Sequence, residues 1–346
     1  MKHFITGGSG FFGLHLIDRL LKENEEVVVY DLATLDESYQ QKPRVTYVHG
    51  DILDKEALKN AMRSCEIIHH NAAVLPVSRS GRKFYEINVE GTRNVLEAAL
   101  ANRAKKVLFV STSAVYGIAT QLPVTEDTPL TPLGDYARSK LAAEALCKEF
   151  RTTNDLDVSL IRPRTIIGTG RMGIFGILFD WISAGKKIYM IGKGTNLYQL
   201  LSATDLASAC WLASIKPCRN EDFLIGAEEF GTFRHSLEGL IEHAGTASVV
   251  KPMNAAFVRN TLRILDRLRL SPLVDYHYMT ADKPLYFDTS KAQRMLGWKA
   301  QQSNVSMLTE TYDWYMQNRD QLKKITGTTH RKGVKQGVLK IVKFFS

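Results

Sequence analysis

The run Lys2-His3-Phe4-Ile5-Thr6 is apolar and β-prone, and it leads directly into Gly7-Gly8-Ser9-Gly10-Phe11-Phe12-Gly13 and an amphipathic helical pattern. Strand, glycine turn and helix packed this tightly leave one economical solution: the first crossover unit of a parallel sheet. Glycine at 7, 10 and 13 permits a tight turn and a close approach of backbone to a phosphate. A helix that opens at once behind the turn presents its N–H groups and positive dipole end to the same place. A glycine-rich turn with no ligand is the plain alternative. The position between a strand and a helix is the one that phosphate binding needs.

The first half of the chain repeats the alternation. Val27–Tyr30, Val45–Val48, Glu66–His69, Val107–Val110 and Val158–Ile161 read as strands, with helical patterns at 14–22, 54–63, 85–101 and 136–150. Continuous apolar strands separated by helices belong to a parallel sheet covered on both faces. The expected class is therefore α/β: a Rossmann-type, doubly wound parallel sheet with a smaller C-terminal α/β lobe. Beyond Gly168 the alternation weakens. Residues 204–215 read as a helix, 223–226 as a strand, 232–275 as two helical stretches and Met307–Met316 as a helix. No repeat or low-complexity linker intervenes. The expected division is 1–167 as the sheet domain, with 197–226 returning to it. Residues 168–196 and 227–320 form the second lobe, and 321–346 a basic amphipathic tail.

The second strand ends in Tyr30-Asp31. A carboxylate about 20 residues past the glycines accepts hydrogen bonds from adenosine ribose hydroxyls and repels a 2′-phosphate. No arginine follows at once, so the pattern favours NAD over NADP; a surface aspartate opening a turn is the alternative. Asp51, after the third strand, is a candidate for the adenine edge, or else a helix cap before Lys55 and Ala57.

Tyr136 and Lys140, at i and i+4, share a helix face about 6 Å apart along the axis. An ammonium near a phenol favours the phenolate, which makes Tyr136 a candidate base toward a hydroxyl and acid toward a carbonyl. By itself this spacing is more often a solvated helix face. It gains weight from Ser111-Thr112-Ser113, at the carboxyl end of the Val107–Val110 strand, where open α/β sheets bind ligands.

Together these residues resemble the extended short-chain dehydrogenase/reductases, and within them the NAD-dependent epimerase/dehydratase family. The resemblance runs over roughly residues 1–318. It rests on Thr6 to Gly13, Asp31, Asp51-Ile52, Asn71-Ala72-Ala73, Ile87 to Thr92, Ser111 to Gly117, Tyr136 to Lys140, Arg162-Pro163, Thr204 to Ala207, Ser290-Lys291 and Leu296-Gly297-Trp298. It implies Thr112, Tyr136 and Lys140 as catalytic residues. For NAD it implies Gly7, Gly10, Phe11, Phe12, Gly13, Asp31, Asp51, Ile52, Ala72, Ala73, Ser111, Tyr136, Lys140 and Pro163. It also implies a small-molecule substrate, by family habit a sugar nucleotide, and a homodimer.

The departures from the family bear on substrate. Dehydratases carry Asp-Glu after the catalytic Thr, where this chain has Ser113 and Ala114, which argues against dehydration. Many epimerases have an Asn just after the sixth strand, where this chain has Arg162-Pro163-Arg164, and a phosphate-binding Arg where it has Tyr198. Ser113, Arg164, Arg171 and Tyr198 are therefore the candidate substrate residues. Gly194-Thr195-Asn196-Leu197-Tyr198 and the Arg-Pro pair look somewhat like the hydroxysteroid dehydrogenase branch. So does the apolar stripe Phe257, Val258, Leu262, Leu265 and Leu268, with Arg259, Arg263 and Arg267 beside it. The plainer reading of that stripe is a lobe helix with a basic outer face. The leading expectation is an NAD-dependent sugar-nucleotide epimerase or reductase. The alternatives are a net dehydrogenase on an apolar alcohol and a catalytically idle NAD-binding scaffold.

The net charge of +9 is unevenly placed. Residues 323–346 hold seven basic side chains and no acid, leaving about +2 elsewhere. No nucleic-acid motif accompanies this charge, so no nucleic-acid partner is expected. Val334, Val338, Ile341, Val342 and Phe345 share a helical face flanked by Lys332, Lys335 and Lys343. One reading is a helix at 332–345 lying on an anionic membrane; the other is a tail packed on the body or a partner. The four cysteines make no metal-ligand pattern and read as reduced thiols. With no signal-peptide pattern at the N-terminus, the expected location is cytoplasmic.

Overall fold

The computed structural model of the chain describes residues 1–75, 81–267 and 275–322. Six strands, β1 (Lys2–Thr6), β2 (Glu26–Asp31), β3 (Val45–His49), β4 (Ile67–His70), β5 (Lys106–Val110) and β6 (Val158–Pro163), are joined by a seventh, Asp222–Ile225. All pair in parallel, in the order Asp222–Ile225, β6, β5, β4, β1, β2, β3. Strand order reverses between β1 and β4, and a crevice opens there beyond the carboxyl ends of the strands.

Period-2 alternation divides each strand between two cores. Ile5, Val27, Val29, Ile67 and Leu108 face the first helix, Phe11–Lys22, and the helix Ala203–Ile215. Phe4, Val28, Ile68, Val107 and Phe109 face Lys55–Ala61, Gly91–Ala101 and Gly134–Thr153. Both faces are covered, which is why these strands carry few polar residues.

The second lobe has its own core, built by the helices Gly173–Ser183, Phe233–Ala244 and Asn304–Leu322. The last of these is longer than the Met307–Met316 stretch read from the sequence. Three strand pairs missed by the sequence pattern also occur here. Thr165–Ile167 pairs with Leu200–Ser202, Leu197–Tyr198 with Gly231–Thr232, and Ile188–Ile191 with Val250–Met253. Residues 197–202 thus pair outside the seven-stranded sheet, and the chain rejoins that sheet's face at Ala203. We propose a domain division near 167, with 203–226 returned to the sheet domain.

The apolar stripe after 255 divides between two sides of the helix Ala255–Arg267. Leu262 is buried and Val258 half-buried, while Phe257 stands 65% exposed; Arg259 pairs with Asp282 at 2.7 Å. Leu268 and the tail at 332–345 lie outside the described residues.

Candidate active site

The turn at the end of β1 is shaped by what its glycines exclude. Gly7 has φ +70°, and a Cβ there would sit 2.9 Å from the Ala72 backbone. A Cβ on Gly13 would fall 2.4 Å from the Gly8 carbonyl oxygen. The first helix opens at Phe11 behind Gly10, with no side-chain cap and no acid in its first turn, so its positive end faces the crevice. Phe11 and Gly13 are buried and Phe12 half-buried, leaving the backbone as the surface offered to a phosphate. Asp31, at the end of β2, accepts the N–H groups of Ser9 and Ala33, each at 2.9 Å. Burial raises its pKa, against the lowering effect of those bonds. Each oxygen keeps a lone pair for a ribose hydroxyl.

Asp51 takes the Leu53 N–H at 2.9 Å, while Asp54 caps the helix Lys55–Ala61 by accepting from Ala57 at 3.0 Å. The cap considered for Asp51 therefore belongs to its neighbour. Ile52 is buried against Gly91. Ala72 and Ala73 line the loop after β4. Ahead of them, both amide atoms of Asn71 are buried without a partner among the described residues. An orphaned amide beside a glycine turn fits a cleft that is completed by a polar ligand.

A buried relay holds this floor in place. The Thr6 hydroxyl accepts the N–H groups of Asn71 and Ala72, both at 3.2 Å, so its hydrogen is directed to His70 Nδ1 at 2.7 Å. Burial pushes His70 down to about 3, so the ring is neutral and its Nε2–H donates to Thr92 Oγ1 at 2.9 Å. Thr92 donates in turn to the Asn88 carbonyl at 2.7 Å. Asn88 lies in a π-helical turn, Glu86–Glu90. Its side chain accepts from Val74 N at 2.8 Å and donates to Val74 O at 3.3 Å and to Ser139 Oγ at 3.0 Å. The sequence marked Asn88 as part of a matching run but gave no sign of this clamp.

Thr112 and Tyr136 meet. Thr112 stands at the carboxyl end of β5 and Tyr136 at the start of the Gly134–Thr153 helix, close enough for the Thr112 hydroxyl to favour the Tyr136 phenolate. Lys140, one turn on, is buried, donates to the Val110 carbonyl at 2.8 Å and lies 3.9 Å from the Phe109 ring centroid. Burial lowers it to about 8, with Glu144 acting the other way. Tyr136 is raised by burial, and the opposing influences are the Thr112 hydrogen bond and the charge of Arg171, not that of Lys140. Lys140 has turned its ammonium to the strand end. Arg171 lies over Phe11 and Phe175, at 5.4 and 6.0 Å, and burial lowers it to about 10.

Ser111 does not present its hydroxyl to the cleft. It donates to Glu144 Oε1 at 2.5 Å, so a cofactor contact from this residue would use its main chain. Glu144 also holds Arg162, through Nε at 2.9 Å and Nη2 at 2.8 Å, and Asp222 adds a contact at 3.2 Å. Pro163 is buried at the end of β6. Among the substrate candidates, Arg164, Ser113 and Tyr198 form one group: Arg164 Nη1 donates to Ser113 Oγ at 3.0 Å, and its guanidinium stands 5.0 Å from the Tyr198 ring centroid. Tyr198, in the place of a phosphate-binding arginine, shares a hydrogen bond with Thr165 at 3.0 Å. Arg171 is stacked instead over Phe11 and Phe175.

Residues 3–226 match the family described as NAD dependent epimerase/dehydratase. The chain belongs to the NAD-dependent epimerase/dehydratase family. A protein of Sinorhizobium fredii, the uncharacterized protein y4nG, is 39% identical over 98% of this chain and 85% of its own length. The UDP-glucose 4-epimerase of Lactobacillus helveticus is 26% identical, covering 91% of this chain and 97% of its own. Among solved structures, the dTDP-glucose 4,6-dehydratase of Streptomyces venezuelae with NAD bound aligns over 94% of this chain and all of its own, at 26% identity and a TM-score of 0.78. NAD is the cofactor of this family. The glycine turn, Asp31 and the Asn71 amide lie at the carboxyl ends of β1, β2 and β4.

Proposed function

We propose that the chain is an NAD-dependent epimerase acting at a secondary alcohol of a sugar nucleotide, with C4 of the sugar as the reacting carbon by analogy with its named relatives. The observation that carries this reading is the Thr112–Tyr136 hydroxyl pair at the carboxyl end of β5, beside the reversal of strand order. NAD, when bound, supplies a hydride acceptor that can return what it takes. The glycine turn and first helix would hold its pyrophosphate and Asp31 its ribose. Tyr136 Oη takes the proton of the substrate hydroxyl as the carbinol carbon is oxidised, and returns it on reduction. Thr112 hydrogen-bonds the same oxygen and fixes its position. Arg171 favours the ionised form of Tyr136.

Ser113 and Ala114 in place of an acidic pair support epimerisation over dehydration. The test is purification without added cofactor, denaturation, and identification of released dinucleotide by mass and amount. Near-stoichiometric NAD, followed by epimer formation from UDP-glucose or dTDP-glucose, is expected. Little dinucleotide, with NADH formation from apolar alcohols, would instead identify a net dehydrogenase. Tyr136→Phe should keep NAD binding and lose turnover by about 10²–10⁴-fold. A cellular role that survives this change would favour a scaffold.

We further propose a cytoplasmic homodimer, tested by light scattering, and membrane contact through 332–345. Flotation of the full chain with anionic vesicles, against a chain cut after Ile325, tests the latter. Equal partition to the supernatant counts against it.

A further inference from the structure

Arg164 carries a charge that nothing described in the structure neutralises. The residue is 1% exposed. Nε donates to the Gln199 carbonyl at 3.1 Å and Nη1 to Ser113 Oγ at 3.0 Å, both uncharged acceptors. The Tyr198 and Phe287 rings stand 5.0 and 5.6 Å away. Nη2 is buried with no hydrogen-bond partner, and no carboxylate among the described residues pairs with this guanidinium. Arg162, two residues earlier and within β6, shows the contrast, because Glu144 and Asp222 both pair with it.

A cation taken from water without a counter-ion is costly, and the unmet donors of Nη2 add to the cost. A planar fork of donors held by Ser113 on one side and left without an acceptor on the other matches a carboxylate or phosphate oxygen pair. Position decides between the two. Ser113 directly follows Thr112, so the guanidinium is anchored on the neighbour of the residue proposed to fix the reacting hydroxyl. In a sugar nucleotide the diphosphate is attached at C1, across the ring from C4. A carboxylate on C5 is bonded to the immediate neighbour of C4.

We propose that Arg164 is the counter-ion for a carboxylate on the sugar ring, so that the chain's substrate is a hexuronic acid sugar nucleotide. This rests on the sugar-nucleotide reading of the same site. Calorimetric titration of the full-length chain with UDP, UDP-glucose and UDP-glucuronate, and with dTDP, dTDP-glucose and dTDP-glucuronate, tests it. The wild-type chain should bind one of the two glucuronates at least about tenfold tighter than the matching glucose compound. In Arg164→Met that gap should shrink to below about threefold while nucleoside diphosphate affinity stays within about twofold.

Equal affinity of the wild-type chain for the acidic and neutral sugars overturns the proposal and leaves the sugar-nucleotide reading standing. Failure of all six compounds to bind overturns both. The melting temperature of the ligand-free chain is a second readout. Arg164→Met should raise it by removing an unmet buried charge. A fall, with the preference for the acidic sugar retained, would reduce Arg164 to a brace between Ser113 and Gln199 and overturn the proposal.

Discussion

Glu144→Gln removes one charge from beneath the strand ends while keeping volume and shape. Glu144 and Arg162 are each 1% exposed, and the pair is joined by two hydrogen bonds, at 2.9 and 2.8 Å. Burial pulls the Arg162 pKa down, but Glu144 overrides it and holds the guanidinium above its usual range. With Gln at 144, Arg162 keeps Asp222 as its carboxylate, at 3.2 Å. Breaking a buried pair costs about 3–5 kcal/mol, and the surviving contact places this case near the lower end. An unfolding entropy of about 2.1 cal/mol/K per residue gives roughly 0.7 kcal/mol/K for this length, so the melting temperature should fall by about 4 °C. Urea unfolding followed by circular dichroism measures the free energy, and calorimetry the temperature. Glu144→Met with Arg162→Met should cost less than either single change, because no uncompensated charge is left behind. A loss below about 1 kcal/mol for Glu144→Gln, or a double variant as costly as the sum of the singles, would refute the reasoning.

The site and its floor give further expectations. Arg171→Met removes a charge that lowers Tyr136, so the rising limb of the kcat/KM profile against pH should move to higher pH. Burial lowers His3 from 6.5 to about 4 and His70 to about 3. The unfolded chain then binds more protons between these values and 6.5, so stability falls as pH drops through that window, by about 1.4 kcal/mol per pH unit per histidine. Urea midpoints at pH 7 and 5 measure this, and His70→Asn should remove one histidine's share of the slope. Asn88→Ala leaves the Val74 N–H unsatisfied and should cost about 1–3 kcal/mol. It should also weaken NAD binding, read by titration of cofactor fluorescence.

The parallel sheet was legible because its strands are short, mostly apolar runs separated by helical patterns and the glycine turn is a local pattern. Thr112 and Tyr136 were legible for the same reason: a strand end and a helix spacing bring them together. What escaped was set by distant pairing. Leu197–Tyr198 and Thr165–Ile167 are too short to carry a period, and they exist through partners at 231–232 and 200–202. The direction of the Lys140 ammonium depends on Val110 and Phe109, 30 residues away and more, which no helix spacing encodes. The Glu144–Arg162 pair and the Asn88 clamp join separate elements, and neither residue type distinguishes a buried partner from a surface charge or a loop amide.

The π-helical turn Glu86–Glu90 amounts to one residue more than an ordinary α-helix would hold between Tyr85 and Gly91. Deleting any one residue there would let the helix run through in regular register, but would turn the segment before it by about 100° relative to the segment after it. Phe84, whose ring lies 6.2 Å from that of Tyr136, and Asn88 could not then both face the crevice. Copying Asn88 into a relative that lacks the extra residue would thus transplant the side chain without its aim. The loop at 72–74 would need another means of being held, and an alignment of the two chains should open its gap within 86–90.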